Sequence, residues 1–391
     1  MEFQFSIPSH VTFGNGTSNQ LGERLQELQV KKVLCVFDQG VKEAGLVDRV
    51  LQNVLDLKIE VVEFDQVSPN PPDLIVDEGA VLARNEKVEA IVAIGGGSAI
   101  DCAKAINILL TNPGSIHQYN GLNLVKNPTK PLIAIPTTAG TGSEVTSFTV
   151  ITDTTALKKM VIGGPYCGAT IALVDPLLTE GLPAPVTAAT GMDALTHAIE
   201  AYVSKAASPA SDVNALKAIE LISENLVKAY KDGGDLKARE GMLLGSMLAA
   251  FAFNSAVLGL VHAIAHPLSA HCGLAHGVAN AIELPFVMEF NAKDQHVQKR
   301  HKDIARAVGL DVEGVSYKDA SNLVIKKVTT LCQTLQIPTL KEEGVEKEQF
   351  NQIAEDALQE ISIQFNPVDV TKEDVLNLLE QTYTKEDQHA K

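Results

Sequence analysis

Two hydrophobic textures divide the chain. In the first half, short unbroken apolar runs alternate with amphipathic stretches. Lys32–Phe37 (KVLCVF), Ile59–Phe64 (IEVVEF), Ala90–Ile94 (AIVAI), Leu132–Ile135 and Ile171–Val174 read as strands. Leu46–Leu55, Leu74–Asn85 and Ser98–Leu110 read as helices between them. Strands that are apolar throughout are buried on both faces, and helices alternating with them predict a parallel sheet covered on both sides. The β-branched segment from Val145 to Val161, centred on Thr152–Thr155, predicts a hairpin. After Asp175-Pro176 the strand-like runs stop. Helical patterns follow at Pro185–Ser204, Ser211–Lys231, Leu236–Leu260 and Gly277–Asn291, and amphipathic helices continue beyond them. A chain of 391 residues exceeds what one core usually serves. We place the boundary near Leu182, giving an α/β half over residues 1–181 and an all-α half over 182–391.

Composition narrows the class. The chain is 45% hydrophobic and 20% charged, as in ordinary globular proteins. Its net charge of −16 argues against nucleic acid or an anionic membrane surface as partner and for a soluble cytoplasmic protein. No signal-peptide pattern opens it. The longest apolar stretch, Gly241–His266, is interrupted by Asn254 and His262, so no membrane span is expected. Cys35, Cys102, Cys167, Cys272 and Cys332 are odd in number, scattered and without a CxxC pair, which fits free thiols in a reducing compartment.

The chemistry gathers in the second half. Five of the ten histidines, His197, His262, His266, His271 and His276, fall between Met192 and Ala281. Asp193 and His197 are four residues apart, as are His262 and His266, so each pair shares one helix face. In such apolar surroundings a lone histidine is usually a satisfied core residue; this density points instead to a divalent metal. One carboxylate and several imidazoles suit Zn²⁺ or Fe²⁺. Asp193, His197, His262 and one of the later histidines make four ligands. Cys272 reads as a small buried hydrophobe rather than a fifth. A metallohydrolase built on His-x-x-x-His would need the glutamate of H-E-x-x-H, and residue 263 is Ala.

Two loops in the first half suit phosphate. The AIVAI strand runs into Gly95-Gly96-Gly97-Ser98 and a helix carrying Asp101, where backbone N–H groups and a helix N-terminus favour an anion. Alone this is also a tight turn. The second loop, Pro136 to Glu144 (PTTAGTGSE), follows the next strand and offers the hydroxyls of Thr137, Thr138, Thr141 and Ser143. Both sit at strand C-terminal ends, where ligands bind open α/β sheets, and together they suit a pyrophosphate. Asp38 ends the first strand. It is a turn or N-cap residue, or it accepts from a ribose diol and selects NAD(H) over NADP(H).

These motifs, in this order, resemble the iron-containing (group III) alcohol dehydrogenase family: FGNG at 13–16, PNP at 69–71, GGGSAID at 95–101, PTTAGTGSE at 136–144, TGMDALTHAIEAY at 190–202, AFN at 252–254, GLVHAIAHPL at 259–268 and AHGVANAI at 275–282. The resemblance implies a dinucleotide-binding α/β domain and a helical metal domain, the dehydroquinate synthase-like architecture. It implies Asp193, His197, His262 and His276 as metal ligands, His266 as a proton-relay group beside the substrate, and Phe253 lining the pocket. It carries over Asp38, Asn70, Gly97, Ser98, Thr138, Thr141, Ser143, Val150, Lys159 and Leu178 as NAD(H) positions. The implied reaction is hydride transfer between the nicotinamide and a small primary alcohol or aldehyde, such as ethanol, butanol, a propanediol or lactaldehyde, with Fe²⁺, or Zn²⁺ in its place, polarising the oxygen. A homodimer or assembly of dimers is implied, the strand near Val11–Gly14 pairing across it. His271 is a histidine the family pattern does not require. Phe148 stands where relatives often have a small or polar residue, which implies a narrower pocket, and Val368 stands where they often have Arg. Relatives of the dehydroquinate synthase or glycerol dehydrogenase kind, acting on hydroxy acids, glycerol or charged aldehydes, are the rival within the architecture. A non-catalytic metal-binding protein is the rival outside it.

Overall fold

The computed structural model describes residues 2–384. They fall into two compact units, Ser6–Leu182, and the chain from Pro183 onward with its first few residues.

The first unit is α/β. Its strands are β1 (His10–Phe13), β2 (Lys32–Val36), β3 (Glu60–Phe64), β4 (Ala90–Gly95), β5 (Gly121–Leu122), β6 (Leu132–Pro136), β7 (Phe148–Asp153), β8 (Lys158–Gly163) and β9 (Ile171–Val174). Its helices are α1 (Leu21–Glu27), α2 (Gln39–Glu43), α3 (Leu46–Leu55), α4 (Asp73–Asn85) and α5 (Gly97–Thr111). Six strands form one parallel sheet in the order β1-β9-β6-β4-β2-β3. The chain leaves β2 for β3 on one side and then crosses to β4 on the other. The order therefore reverses between β2 and β4, the place where open α/β sheets bind ligands. Leu34, Val36, Ile91 and Ala93 pack on one face with Ile100, Ala103 and Ile106 of α5. Val33, Cys35, Val92 and Ile94 pack on the other with Leu25, Val50 and Val54. Period-2 strands clad on both faces are why β4 and β2 after Lys32 are apolar at every position, while the edge strand β3 carries exposed Glu60 and Glu63.

The hairpin forms as an antiparallel β7–β8 pair with Thr152 opposite Lys159. It is shifted along from its sequence pattern, beginning at Phe148 rather than Val145 and ending at Gly163 rather than Val161. The two-residue β5 adds a third strand, too short to leave a pattern. Strand β1 pairs with β9 of its own chain, His10 and Gly14 donating to the Thr170 and Val174 carbonyls. It is the edge strand, and by alternation the N–H groups of Val11 and Phe13 face away from β9.

The second unit holds no strand among the described residues. Its helices are α6 (Ala184–Val203), α7 (Pro209–Lys231), α8 (Leu236–Ala256), α9 (Leu260–Cys272), α10 (His276–Asn291), α11 (Gln295–Ala307), α12 (Tyr317–Thr334), α13 (Phe350–Ala357) and α14 (Lys372–Tyr383). The single helix expected over Leu236–Leu260 is corrected: it breaks at 257–259, and α9 leaves at 103° to α8. Val257 sits at φ 60°, ψ −170°, a region that is essentially glycine-only. Two distant acceptors hold the break. Leu260 donates to Asn366 Oδ1 at 3.2 Å and Val261 to Glu200 Oε1 at 2.7 Å. Helix propensity sees LGLVH as continuous; tertiary capping decides otherwise. Among the described residues no single helix is long and apolar enough to cross a membrane.

Candidate active site

Helix α6 presents Asp193 and His197, α9 presents His262, and His276 opens α10. Four ligand atoms from these residues lie within 4.8 Å of one another. Asp193 Oδ1 stands 3.7 Å from the Nε2 of each of His197, His262 and His276. Ligand bonds of about 2.1 Å in a tetrahedron place donor atoms about 3.4 Å apart, so the spacing suits one small divalent ion. The centre is rich in acceptors and poor in donors. Asn280, fully buried, donates from Nδ2 to Asp193 Oδ1 at 2.7 Å, and the same nitrogen is 3.1 and 3.2 Å from the Nε2 of His262 and His276. Its own Oδ1 is buried with no hydrogen-bond partner. One amide nitrogen facing three acceptors, at the expense of its own oxygen, is an arrangement that a cation at the centre suits better.

The electrostatics agree. Burial pushes the Asp193 carboxyl up, but the neighbouring imidazoles outweigh it and hold it well below the usual range. Burial lowers His262, yet its bonds to Asp193 and Glu200 raise it to about 9. Burial drives His276 well below the ordinary histidine value, against the pull of Asp193. Asp193, His197 and His262 side chains are at most 5% exposed, whereas His276 is 27% exposed, so access lies on its side.

The other histidines separate by partner. His266 Nδ1 lies 3.0 Å from Glu360 Oε2, and its ring centroid is 5.4 Å from that of His276, beside the cluster but outside it. His271 turns away to Asp356 Oδ2 at 2.7 Å. Cys272 is half-buried and outside the cluster. Phe253 stacks on His197 with centroids 4.4 Å apart, an apolar wall against the centre. Glu200 and Glu360 were not singled out from sequence. Glu200 follows Asp193 by two helical turns, the one signal available; Glu360 leaves none.

In the α/β unit the two loops meet. A Cβ on Gly97 would fall 2.5 Å from Thr141 Cγ2, and one on Gly96 would fall 3.1 Å from Thr138 Oγ1. Thr137 donates to the Gly95 carbonyl at 3.0 Å, tying the loop to the end of β4. Gly96, Gly97, Ser98, Thr138 and Thr141 thus border a cradle at the N-terminus of α5 that side chains would fill, which suits a phosphate. Asp38 caps α2, its Oδ1 accepting from Val41 N at 3.0 Å; its Oδ2 points toward Gly95. Asn70, at φ 54°, accepts from Lys159 Nζ at 2.8 Å. Asp101 faces inward: Oδ1 accepts from Ser143 Oγ at 2.5 Å and Oδ2 from Val150 N at 3.0 Å. Leu178 is buried just after β9, and Phe148 lies over Gly163. A second group, Asp73, His117 and Asp153, ties the start of α4 to the hairpin tip through His117 Nε2, 2.9 Å from Asp73 Oδ2.

The comparisons with known proteins agree with this geometry. Residues 8–176 match the model of the iron-containing alcohol dehydrogenase family, and residues 187–383 match its C-terminal model. The chain is 41% identical to a 1,3-propanediol dehydrogenase of Citrobacter freundii over 97% of this chain and 99% of that one. It is 43% identical to alcohol dehydrogenase 4 of Saccharomyces cerevisiae over 97% and 98%. A crystal structure of a 1,3-propanediol oxidoreductase superposes with a TM-score of 0.94 at 41% identity, over 98% of this chain and all of that one. With both halves matched and relatives aligned nearly end to end, the chain belongs to the iron-containing alcohol dehydrogenase family and is an oxidoreductase.

Proposed function

We propose that this protein interconverts short aldehydes and the matching primary alcohols or diols with NAD(H), using Fe²⁺, or Zn²⁺ in its place, held by Asp193, His197, His262 and His276. The observation that carries the reading is the convergence of one carboxylate oxygen and three imidazole nitrogens beside the apolar ring of Phe253. When bound, the metal supplies Lewis acidity toward the substrate oxygen, and the nicotinamide gives or takes the hydride.

The chain's own residues do the rest. The cradle at Gly96, Gly97, Ser98, Thr137, Thr138 and Thr141 receives the pyrophosphate at a helix N-terminus. Asp38, with one oxygen committed to its cap, offers the other to a ribose diol and repels a 2′-phosphate, which favours NAD(H). Asn70, Lys159, Val150 and Leu178 line the remainder of the cofactor site. Asp101 and Ser143 act there through each other. His266, anchored through Nδ1 on Glu360, keeps Nε2 to carry a proton between substrate and solvent. The apolar ring of Phe253, stacked on His197, favours a short, uncharged chain beside the metal ligands. The open edge of β1 supports a homodimer, and five free cysteines support a reducing, cytoplasmic setting.

The test is anaerobic NADH oxidation with a panel of short aldehydes, on protein stripped of metal and reloaded with Fe²⁺ or Zn²⁺. Turnover restored by Fe²⁺, with NADH preferred over NADPH, is expected. Bound metal and NADH with no turnover of any neutral aldehyde would refute the substrate class and move the panel to hydroxy acids and charged aldehydes. His266→Ala should lower turnover with metal content intact; loss of metal would make His266 a ligand.

A further inference from the structure

One carboxylate grips two consecutive residues of the broken helix. Glu200 lies on α6 and is 4% exposed. Its Oε1 accepts the Val261 N–H at 2.7 Å, and its Oε2 lies 2.6 Å from His262 Nδ1. A carboxylate can only accept, so Nδ1 carries the proton. The lone pair of His262 is thereby placed on Nε2, the atom 3.7 Å from Asp193 Oδ1. The backbone is shaped for this grip. A Cβ on Gly259 would come within 3.0 Å of Glu200 Oε1, so glycine lets the first turn of α9 close onto the carboxylate.

We propose that Glu200 is the positioning residue that fixes the ligating tautomer of His262 and so retains the metal. The inference rests on the metal centre proposed above and adds a residue that touches neither substrate nor metal. Partners of this kind orient a metal-bound imidazole and strengthen its basicity, and their removal typically costs 10–100-fold in metal affinity.

The discriminating variant is Glu200→Gln, which keeps size and removes charge. Its amide must either turn NH2 toward His262, forcing the proton onto Nε2, or set NH2 against the Val261 N–H. The first orientation abolishes the ligating tautomer; the second leaves it only an uncharged acceptor, at the cost of the Val261 N–H, so its support is weakened in both. The measurement is the rate at which Fe²⁺-loaded protein releases metal to a chromogenic chelator. We expect release from E200Q to be about 10–100 times faster than from wild type. Glu200→Asp, which keeps the acceptor on a shorter arm, should fall between them. Asn366→Ala removes the other anchor of the same turn, Leu260 N, without touching His262. It should lower the melting temperature and leave release within about twofold. Release from E200Q at the wild-type rate, or N366A releasing as fast as E200Q, would reduce Glu200 to a helix cap and overturn the proposal. Wild-type protein that retains neither Fe²⁺ nor Zn²⁺ would instead overturn the metal centre on which it rests.

Discussion

Lys104 makes the sharpest test of how the α/β unit is held. It is 1% exposed, in the middle of the apolar helix α5. Its Nζ donates to Ser143 Oγ at 3.0 Å, the Thr146 carbonyl at 3.1 Å, Thr146 Oγ1 at 3.2 Å and the Phe148 carbonyl at 2.6 Å. Asp101 Oδ1 stands 4.0 Å away. Burial lowers the Lys104 ammonium, and Asp101 and Glu144 oppose that shift. Every acceptor belongs to the stretch that runs from the threonine loop into β7. Lys104→Met fills nearly the same volume but strands those acceptors and leaves Asp101 with only its hydrogen bonds from Ser143 and Val150. Breaking a buried pair from one side costs about 3–5 kcal/mol. The separate hydrogen bonds, about 1.5–3 kcal/mol each to a charged group, are not additive on top of it. For a unit of this size that is a fall in melting temperature of about 6–20 °C. Thermal melts followed by far-UV circular dichroism read it directly. A fall under about 3 °C, corresponding to roughly 1 kcal/mol, would show that the lysine is not bearing this network.

Three further outcomes follow from the same structure. Gly97→Ala forces Thr141 aside, an overpacking worth about 1–3 kcal/mol, and should weaken NADH about 5–150-fold if the cradle takes up the shift; NADH fluorescence titration checks it, and unchanged affinity would refute the cradle. Burial pushes the Glu283 carboxyl up to about 8 against the hydrogen bond from Thr382, so its contribution is full below pH 4.5 and is lost as pH rises through 8; Glu283→Gln should therefore gain melting temperature over wild type between pH 5 and 8, and a constant difference would refute this. Val257→Gly relieves a conformation costing about 1–3 kcal/mol and loses about 0.5–1 kcal/mol to chain entropy, so the melting temperature should rise, by up to about 10 °C, and a fall would refute the strain.

The inner strands were legible because burial on both faces writes itself as runs of Val, Ile, Leu and Ala, and β9 appears at the bounds its residues suggest; the edge strand β1 (HVTF) leaves no such run. The pairing of Asp193 with His197 was legible because helical spacing puts i and i+4 together; the same spacing paired His262 with His266, which stands beside the cluster rather than in it, and only the fold brings His262 to α6. The choice between His271 and His276 was not legible. The chain reverses at Gly273, in the left-handed region, and only the fold shows His271 turned to Asp356, a partner far along the sequence. The helix break escaped for the same reason: the groups that end α8 and start α9 come from Glu200 and Asn366. Lys104 was hidden by its surroundings, since a single lysine in an apolar helix carries no sign of which oxygens it meets.

The broken turn at 257–259 has a consequence for the order of assembly. Two of its anchors arrive at very different times during synthesis, Glu200 before the turn and Asn366 long after it. Until the later segment is made, Leu260 lacks its acceptor and the turn is held from Glu200 alone, through Val261 and His262. The break therefore closes in two stages, the second through a contact of long sequence separation that is slow to form. The grip on His262 that the candidate centre needs is thus available before the Asn366 anchor, whose part is the stability of the completed helical unit rather than the hold on metal.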